Sequence, residues 1–131
     1  MPDPSPAEVN QVLLFVTQQI DSVPELEALM LLWQSRPAEW TAAELAKRLY
    51  IVPEQAEVIF ADLARKSLVV HVPDRPRSYR YEQGSAEQDE LMARTEAVYR
   101  KQVIRISSLI HSKPSSAVRD FARAFRFTKE K

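Results

Sequence analysis

Residues 40–72 read WTAAELAKRLYIVPEQAEVIFADLARKSLVVHV, a stretch that holds two helix signals followed by a strand signal. Thr41 and Glu44 have the spacing of a capping box, in which a hydroxyl and a carboxylate satisfy each other's backbone N–H groups at a helix start. This box predicts a helix over 42–50. The proline that follows the next turn fits the first turn of a helix and predicts a second one over 53–66. The stretch therefore predicts two helices joined by a tight turn.

A β-hairpin is predicted directly after this pair. Residues 68–72 are apolar and β-branched, which favours a strand, and residues 78–82 alternate with a period of two. Between them, 73–77 contains two prolines and an aspartate, as turns do. Two amphipathic helices, over 6–20 and 23–35, precede the pair. The first 82 residues are thus expected to form four helices and a hairpin, so the fold class is mainly α.

The region after the hairpin is expected to be helical. Residues 86–112 contain no proline or glycine, which predicts one continuous helix. Met92, Tyr99 and Ile106 are seven residues apart in it, a spacing typical of a coiled-coil-like seam. The same apolar stripe could pack against a second chain or against other helices of the same chain, and the sequence leaves both interpretations open.

Composition excludes several classes of protein. The chain has 131 residues, the size of one domain, and equal numbers of basic and acidic residues, 18 each. It has no cysteine, which excludes disulfides and thiolate metal sites, and one glycine, Gly84, which excludes a phosphate-cradling loop. No apolar run is long enough to span a membrane and the N-terminus lacks a signal core, so we expect a soluble, cytoplasmic protein.

Charge is unevenly placed along the chain, which suits either solvated helix faces of opposite sign or a basic tail for an acidic partner or nucleic acid. Residues 1–40 carry six acids and one base, whereas residues 85–131 carry ten bases and six acids. His71 and His111 are 40 residues apart with no second ligand beside either, so we expect no metal site. No hydroxyl–base spacing suits a nucleophile. We therefore expect neither an enzyme nor a cofactor.

Residues 22–84 resemble a winged helix-turn-helix. Ala46 is small where the two helices of the motif cross, and Ile51 lies where an apolar residue fills the turn. The sequence departs from the pattern at Tyr50 and Ser67, where glycine is usual.

With its flanking helices the chain resembles the MarR type of bacterial regulator, and also a group of uncharacterised bacterial winged-helix proteins. The resemblance implies an N-terminal helix over 1–21, a winged core over 22–84 and C-terminal helices over 85–131, all in one structural unit. It also implies a homodimer formed by the terminal helices. The dimer residues we predict are Met92, Tyr99, Val103, Ile106, Ile110, Phe121 and Phe125.

The resemblance implies a DNA-binding transcriptional regulator in which the second helix of the motif enters the major groove and the wing touches phosphates or the minor groove. Arg75 and Arg77 flank a proline in the hairpin turn, so their side chains would project from a stiff wing tip. The residues we predict to contact double-stranded DNA are Thr41, Lys47, Gln55, Arg75, Arg77 and Arg80.

An alternative function is open on the same surface. Val52, Glu54, Glu57 and Val58 are expected to face outward from the second helix of the motif. Two carboxylates add no attraction for phosphates, although glutamate accepts a hydrogen bond from cytosine. Acids beside exposed valines also suit a protein partner, in which case the chain is a winged-helix adaptor that does not bind DNA.

Overall fold

The computed structural model describes residues 3–75 and 77–112. The order of elements is helix–helix–strand–helix–helix–strand–strand–helix–helix. Their bounds are α1 Pro6–Gln19, α2 Val23–Gln34, β1 Trp40–Thr41, α3 Ala42–Leu49, α4 Pro53–Arg65, β2 Val69–His71, β3 Ser78–Tyr81, α5 Ala86–Lys101 and α6 Val103–Ser112. The four helices and the hairpin predicted from the sequence over the first 82 residues are confirmed.

The capping box at the start of α3 is present. Thr41 Oγ1 accepts the N–H of Glu44 at 3.1 Å, and Glu44 Oε1 accepts the N–H of Thr41 at 2.9 Å. Two of the four N–H groups that a helix start leaves without partners are satisfied in this way. The box therefore fixes where α3 begins.

Two residues that replace the usual glycines have a left-handed backbone. Tyr50 has φ of 58° at the end of α3, and Ser67 has φ of 61° just after α4. In each case the next N–H bonds back across the helix end, from Ile51 to Ala46 and from Leu68 to Leu63, both at 3.0 Å. A residue with a Cβ atom loses about 1–2 kcal/mol in this conformation, so the motif keeps its geometry at a cost in stability.

The strands form a three-stranded antiparallel sheet in the order β1-β3-β2. In β1, which the sequence analysis did not predict, Thr41 pairs with Ser78 of β3. On the other side of β3, Val69 of β2 pairs with Tyr81. The sheet thus brings the start of α3 beside the loop end of the hairpin.

A shared apolar core joins the helices to the sheet. Buried side chains from α1 to α6 and from β2 and β3 form one contiguous cluster. Phe60 of α4 is fully buried, and its ring stacks on Tyr79 of β3 with the ring centroids 4.5 Å apart. This contact connects α4 to the hairpin.

A buried ion network connects the end of α4 to the junction of α1 and α2. The Lys66 ammonium donates to the Gln19 carbonyl at 2.5 Å, to Asp21 Oδ2 at 2.9 Å and to Glu25 Oε1 at 2.8 Å. The Glu25 side chain is 2% exposed and that of Lys66 is 14% exposed. Glu25 Oε1 also accepts the N–H of Asp21. Several hydrogen bonds per charge are what a buried ion pair needs to offset the loss of water.

The continuous helix predicted over 86–112 is wrong. The helix breaks at Gln102, where φ is −128° and ψ is 45°, and the Gln102 carbonyl accepts the N–H of Ile106 at 3.0 Å. After the break α6 packs against α1, as α5 does before it. Ile106 and Ile110 of α6 are buried, and no proline or glycine marks the break between the two helices.

The part of the predicted C-terminal helices that follows residue 112, with Phe121 and Phe125, lies outside the described residues. Within residues 3–75 and 77–112, no helix has both the length and the apolar character needed to cross a membrane.

Candidate nucleic-acid interface

The outer face of α4 carries Glu54, Glu57, Val58 and Ala61, all exposed, and it continues to the exposed Arg65 in the last turn. These positions follow the i, i+3, i+4, i+7 spacing of one helical face. The opposite face is buried and consists of Ala56, Ile59, Phe60 and Leu63. Packing of this second face against the core therefore fixes which side chains α4 presents to a ligand.

The turn between α3 and α4 is apolar and open to solvent. The Tyr50 side chain is 95% exposed, and those of Val52 and Val58 are each 59% exposed. Tyr50 projects because its left-handed backbone ends α3. We predicted the exposure of the two valines, but not that of Tyr50, which a departure from glycine at a turn could have indicated.

The loop 72–77 between β2 and β3, which we call the wing tip, is short and internally bonded in its described part. The N–H of Val72 donates to the carbonyl of Ser78 at 2.8 Å, and the N–H of Arg75 donates to the carbonyl of Val72 at 3.2 Å. Arg77 has a left-handed backbone with φ of 70°, and its N–H donates to His71 Nε2 at 3.3 Å. These bonds hold the two wing arginines on a compact turn.

Both wing arginines face solvent. The Arg75 side chain is 72% exposed and lies 3.5 Å from Glu39, which is a long contact for an ion pair. An exposed pair of this kind contributes little, about 0–1 kcal/mol, so Glu39 does not prevent Arg75 from binding another anion. Arg80 is half-buried in β3, between Tyr79 and the buried Tyr81. The pairing with Glu39 was not predicted, because no local sequence pattern connects the two residues.

The structure brings some of the predicted DNA contacts together. Because Thr41 pairs with Ser78, the start of α3 lies beside Arg77, the last residue of the wing tip. Lys47, in the last turn of α3, and Gln55, in the first turn of α4, lie on either side of the turn and are exposed. The predicted contacts thus fall into a wing group and a turn group.

The predicted dimer residues divide into buried and exposed ones. Met92, Ile106 and Ile110 are buried in the core of the one chain. Tyr99 is half-buried, and burial together with the nearby Glu27 carboxylate raises the pKa of its hydroxyl. The exposed apolar side chains of α6 are Val103 and Ile104, of which Ile104, not predicted as a contact, is 82% exposed. Among the predicted dimer residues in α6, Val103 is therefore the exposed one, and the exposed Ile104 lies beside it.

A polar cluster connects the end of α2 to the start of α5. Asp89 accepts a hydrogen bond from Trp33 Nε1 at 2.9 Å and another from Arg36, whose guanidinium lies 4.7 Å from the centre of the Trp33 ring. The two hydrogen bonds lower the pKa of Asp89. The cluster thus joins the helix-turn-helix part of the chain to its C-terminal helices.

The helices α2, α3 and α4 followed by the hairpin define a winged helix-turn-helix protein, with a helix before this unit and two described helices after it. This architecture is that of the MarR-type winged-helix proteins.

Solved structures with this fold are similar to the chain over most of its length. A MarR family protein of Mycobacterium tuberculosis matches with a TM-score of 0.52 and 20% identity over 94% of this chain and 86% of that chain. The adhesin competence repressor of Streptococcus pyogenes matches with a TM-score of 0.46 and 18% identity over 94% of this chain and 90% of that chain. A MarR family protein of Bacillus stearothermophilus has a TM-score of 0.44 and 18% identity over 95% of this chain and 84% of that chain. No family model matches the sequence, and no curated protein matches it.

Proposed function

We propose that the protein is a DNA-binding transcriptional regulator that acts as a homodimer in the cytoplasm. The observation that carries this proposal is the wing: Arg75 and Arg77 are exposed on a short, internally bonded loop beside the start of α3. Fixed cations at a wing tip are placed to contact phosphates, while the helix that follows the turn enters the major groove. In this arrangement the terminal helices set the distance between two winged cores.

The wing arginines are expected to determine the salt dependence of DNA binding. Replacing Arg75 and Arg77 with alanine should lower the slope of log K against log salt by about two units, because each phosphate contact contributes about 0.9. The measurement is fluorescence anisotropy with duplex DNA over a series of salt concentrations.

Arg94→Ala with Arg100→Ala is the matched control, since it removes two arginines of α5 that pair with acids of the same chain. An unchanged slope in the wing variant would contradict phosphate binding by the wing.

The dimer is proposed to involve the exposed apolar residues of α6. Ile104→Glu should convert the dimer to a monomer of 15.1 kDa in light scattering, because a charge would be buried without a partner in an apolar contact. Val58→Glu, on the outer face of α4, should leave the mass at the dimer value. A wild-type chain that already has the monomer mass, or an Ile104→Glu variant that stays dimeric, would contradict the proposal.

A second candidate function is protein docking through the turn and the outer face of α4. It is favoured by the three exposed apolar side chains, Tyr50, Val52 and Val58, beside the carboxylates of Glu54 and Glu57. A surface of that kind attracts a basic, partly apolar partner. If the wild-type chain does not bind duplex DNA even at low salt, the adaptor function replaces the regulator.

A further inference from the structure

From Val52 to Ala61, the middle of the outer face of α4 carries hydrogen-bond acceptors but no donor side chains. Gln55 flanks this part, and the exposed Arg65 continues the face in the last turn of the helix. Glu54 and Glu57 supply carboxylates, Val58 and Ala61 supply apolar surface, and Val52 extends the apolar surface at the start of the helix. No arginine, lysine or asparagine occupies these five positions.

Base edges in the major groove differ in what they offer to such a face. Guanine presents two acceptors, which need a donor from the protein, whereas cytosine presents an N4 donor that a carboxylate accepts. Thymine presents a methyl group that packs on apolar side chains. A face of carboxylates and valines therefore matches cytosine and thymine.

From this match we infer that α4 selects DNA half-sites in which one strand carries a short run of pyrimidines, with Glu54 and Glu57 facing cytosine and Val52 and Val58 facing thymine. The inference rests on the proposed DNA-binding function and specifies the sequence class that this function would recognise.

The length of the face sets the length of the run. Glu54 and Ala61 are seven residues apart, which corresponds to about 10 Å along a helix at 1.5 Å per residue. Successive base pairs are about 3.4 Å apart, so the face covers about three of them. The half-site is expected to contain about three consecutive pyrimidines on the strand that α4 faces.

The carboxylates give the inference a mutational signature. Close to phosphates they repel the DNA backbone, so removing their charge should raise affinity for random DNA. If they also accept from cytosine, the same change should lower the preference for cytosine. Glutamine reads adenine, so the preference at the facing position should move from cytosine towards adenine. If Glu54 and Glu57 merely stabilise the helix start, replacing them would raise the overall affinity for DNA without changing the preferred base.

The first experiment is selection from a random duplex library by the full chain, with sequencing of the bound DNA. The wild-type chain should enrich half-sites with pyrimidine runs. Glu57→Gln should weaken the cytosine preference about tenfold at one position, the usual effect of one lost base contact. Glu87→Gln, which alters an exposed acid in the first turn of α5, should select the wild-type sequences.

The second experiment measures binding to the selected site with uracil in place of thymine. Loss of the methyl groups should weaken binding by the wild-type chain several-fold. Val58→Ala should reduce that difference, because Val52 alone would then pack on thymine methyl groups.

The outcomes separate the two proposals. This inference would be overturned if binding depended on salt but showed no base preference. It would also be overturned if the protein selected guanine on the facing strand. Either result would leave the proposed regulator function standing. The absence of any binding to duplex DNA would overturn both.

Discussion

Replacing Lys66 with methionine is expected to lower the free energy of unfolding by about 3–5 kcal/mol, because the change leaves a buried carboxylate without its counter-charge. Glu25, which is 2% exposed, would lose the ammonium 2.8 Å away, and Asp21 would lose its partner at 2.9 Å. The free energy of unfolding of a single domain is only about 5–15 kcal/mol, so the variant should retain little net stability. Urea unfolding followed by circular dichroism measures the loss.

Two further variants separate charge from packing. Arg65→Ala, one residue earlier, removes a largely exposed cation paired with Asp62 and should cost less than about 0.5 kcal/mol. Adding Glu25→Gln to Lys66→Met should recover part of the loss, because the uncompensated charge disappears. A Lys66→Met variant within about 1 kcal/mol of the wild type would mean that water reaches the carboxylates and that the network does not stabilise the fold.

Truncating Phe60 to alanine should destabilise the protein by a similar amount, about 3–5 kcal/mol. The side chain is fully buried in the shared core, and its ring stacks on Tyr79 of β3. Alanine would leave a cavity between α4 and the hairpin and would remove an aromatic contact. We expect the midpoint of urea unfolding to fall sharply with little change in the slope of the transition.

Val58→Ala is the matched control, since this side chain lies two residues earlier in α4 and is mostly exposed. It should change the unfolding free energy by no more than about 0.5 kcal/mol. If Phe60→Ala cost no more than Val58→Ala, the stacked contact would not hold the hairpin to α4.

The sequence was sufficient to predict the first four helices and the hairpin because their signals are local. The capping box at Thr41 and the apolar spacing of α4 act within one or two turns of the chain. Even the left-handed residues Tyr50 and Ser67 could be located, because they stand where the motif uses glycine. Each of these signals depends only on residues that are close together in the sequence.

The features that the sequence did not predict depend on distant partners. Strand β1 is two residues long, too short to show an alternating pattern, and it exists because Thr41 pairs with Ser78. The break at Gln102 has no proline or glycine beside it, and both helices that it separates pack against α1. Local sequence patterns do not indicate pairing registers and helix breaks of this kind.

The candidate interface was predictable in part for the same reason. Helical register placed Glu54, Glu57 and Val58 on the exposed side of α4, and the proline turn placed Arg75 near the end of the hairpin. The contact of Arg75 with Glu39 joins two segments that are far apart in the chain, and no local pattern indicates it.

The Lys66 network also determines how far the winged core can be treated as a separable module. Two of its acceptors, the Gln19 carbonyl and the Asp21 carboxylate, precede residue 22, where the winged core begins by sequence pattern. A fragment starting at Ser22 would keep Glu25 and lose the other two acceptors. We therefore expect α1 to behave in folding as part of the helix-turn-helix unit, so that grafting this unit onto another protein would require α1 to be transferred with it.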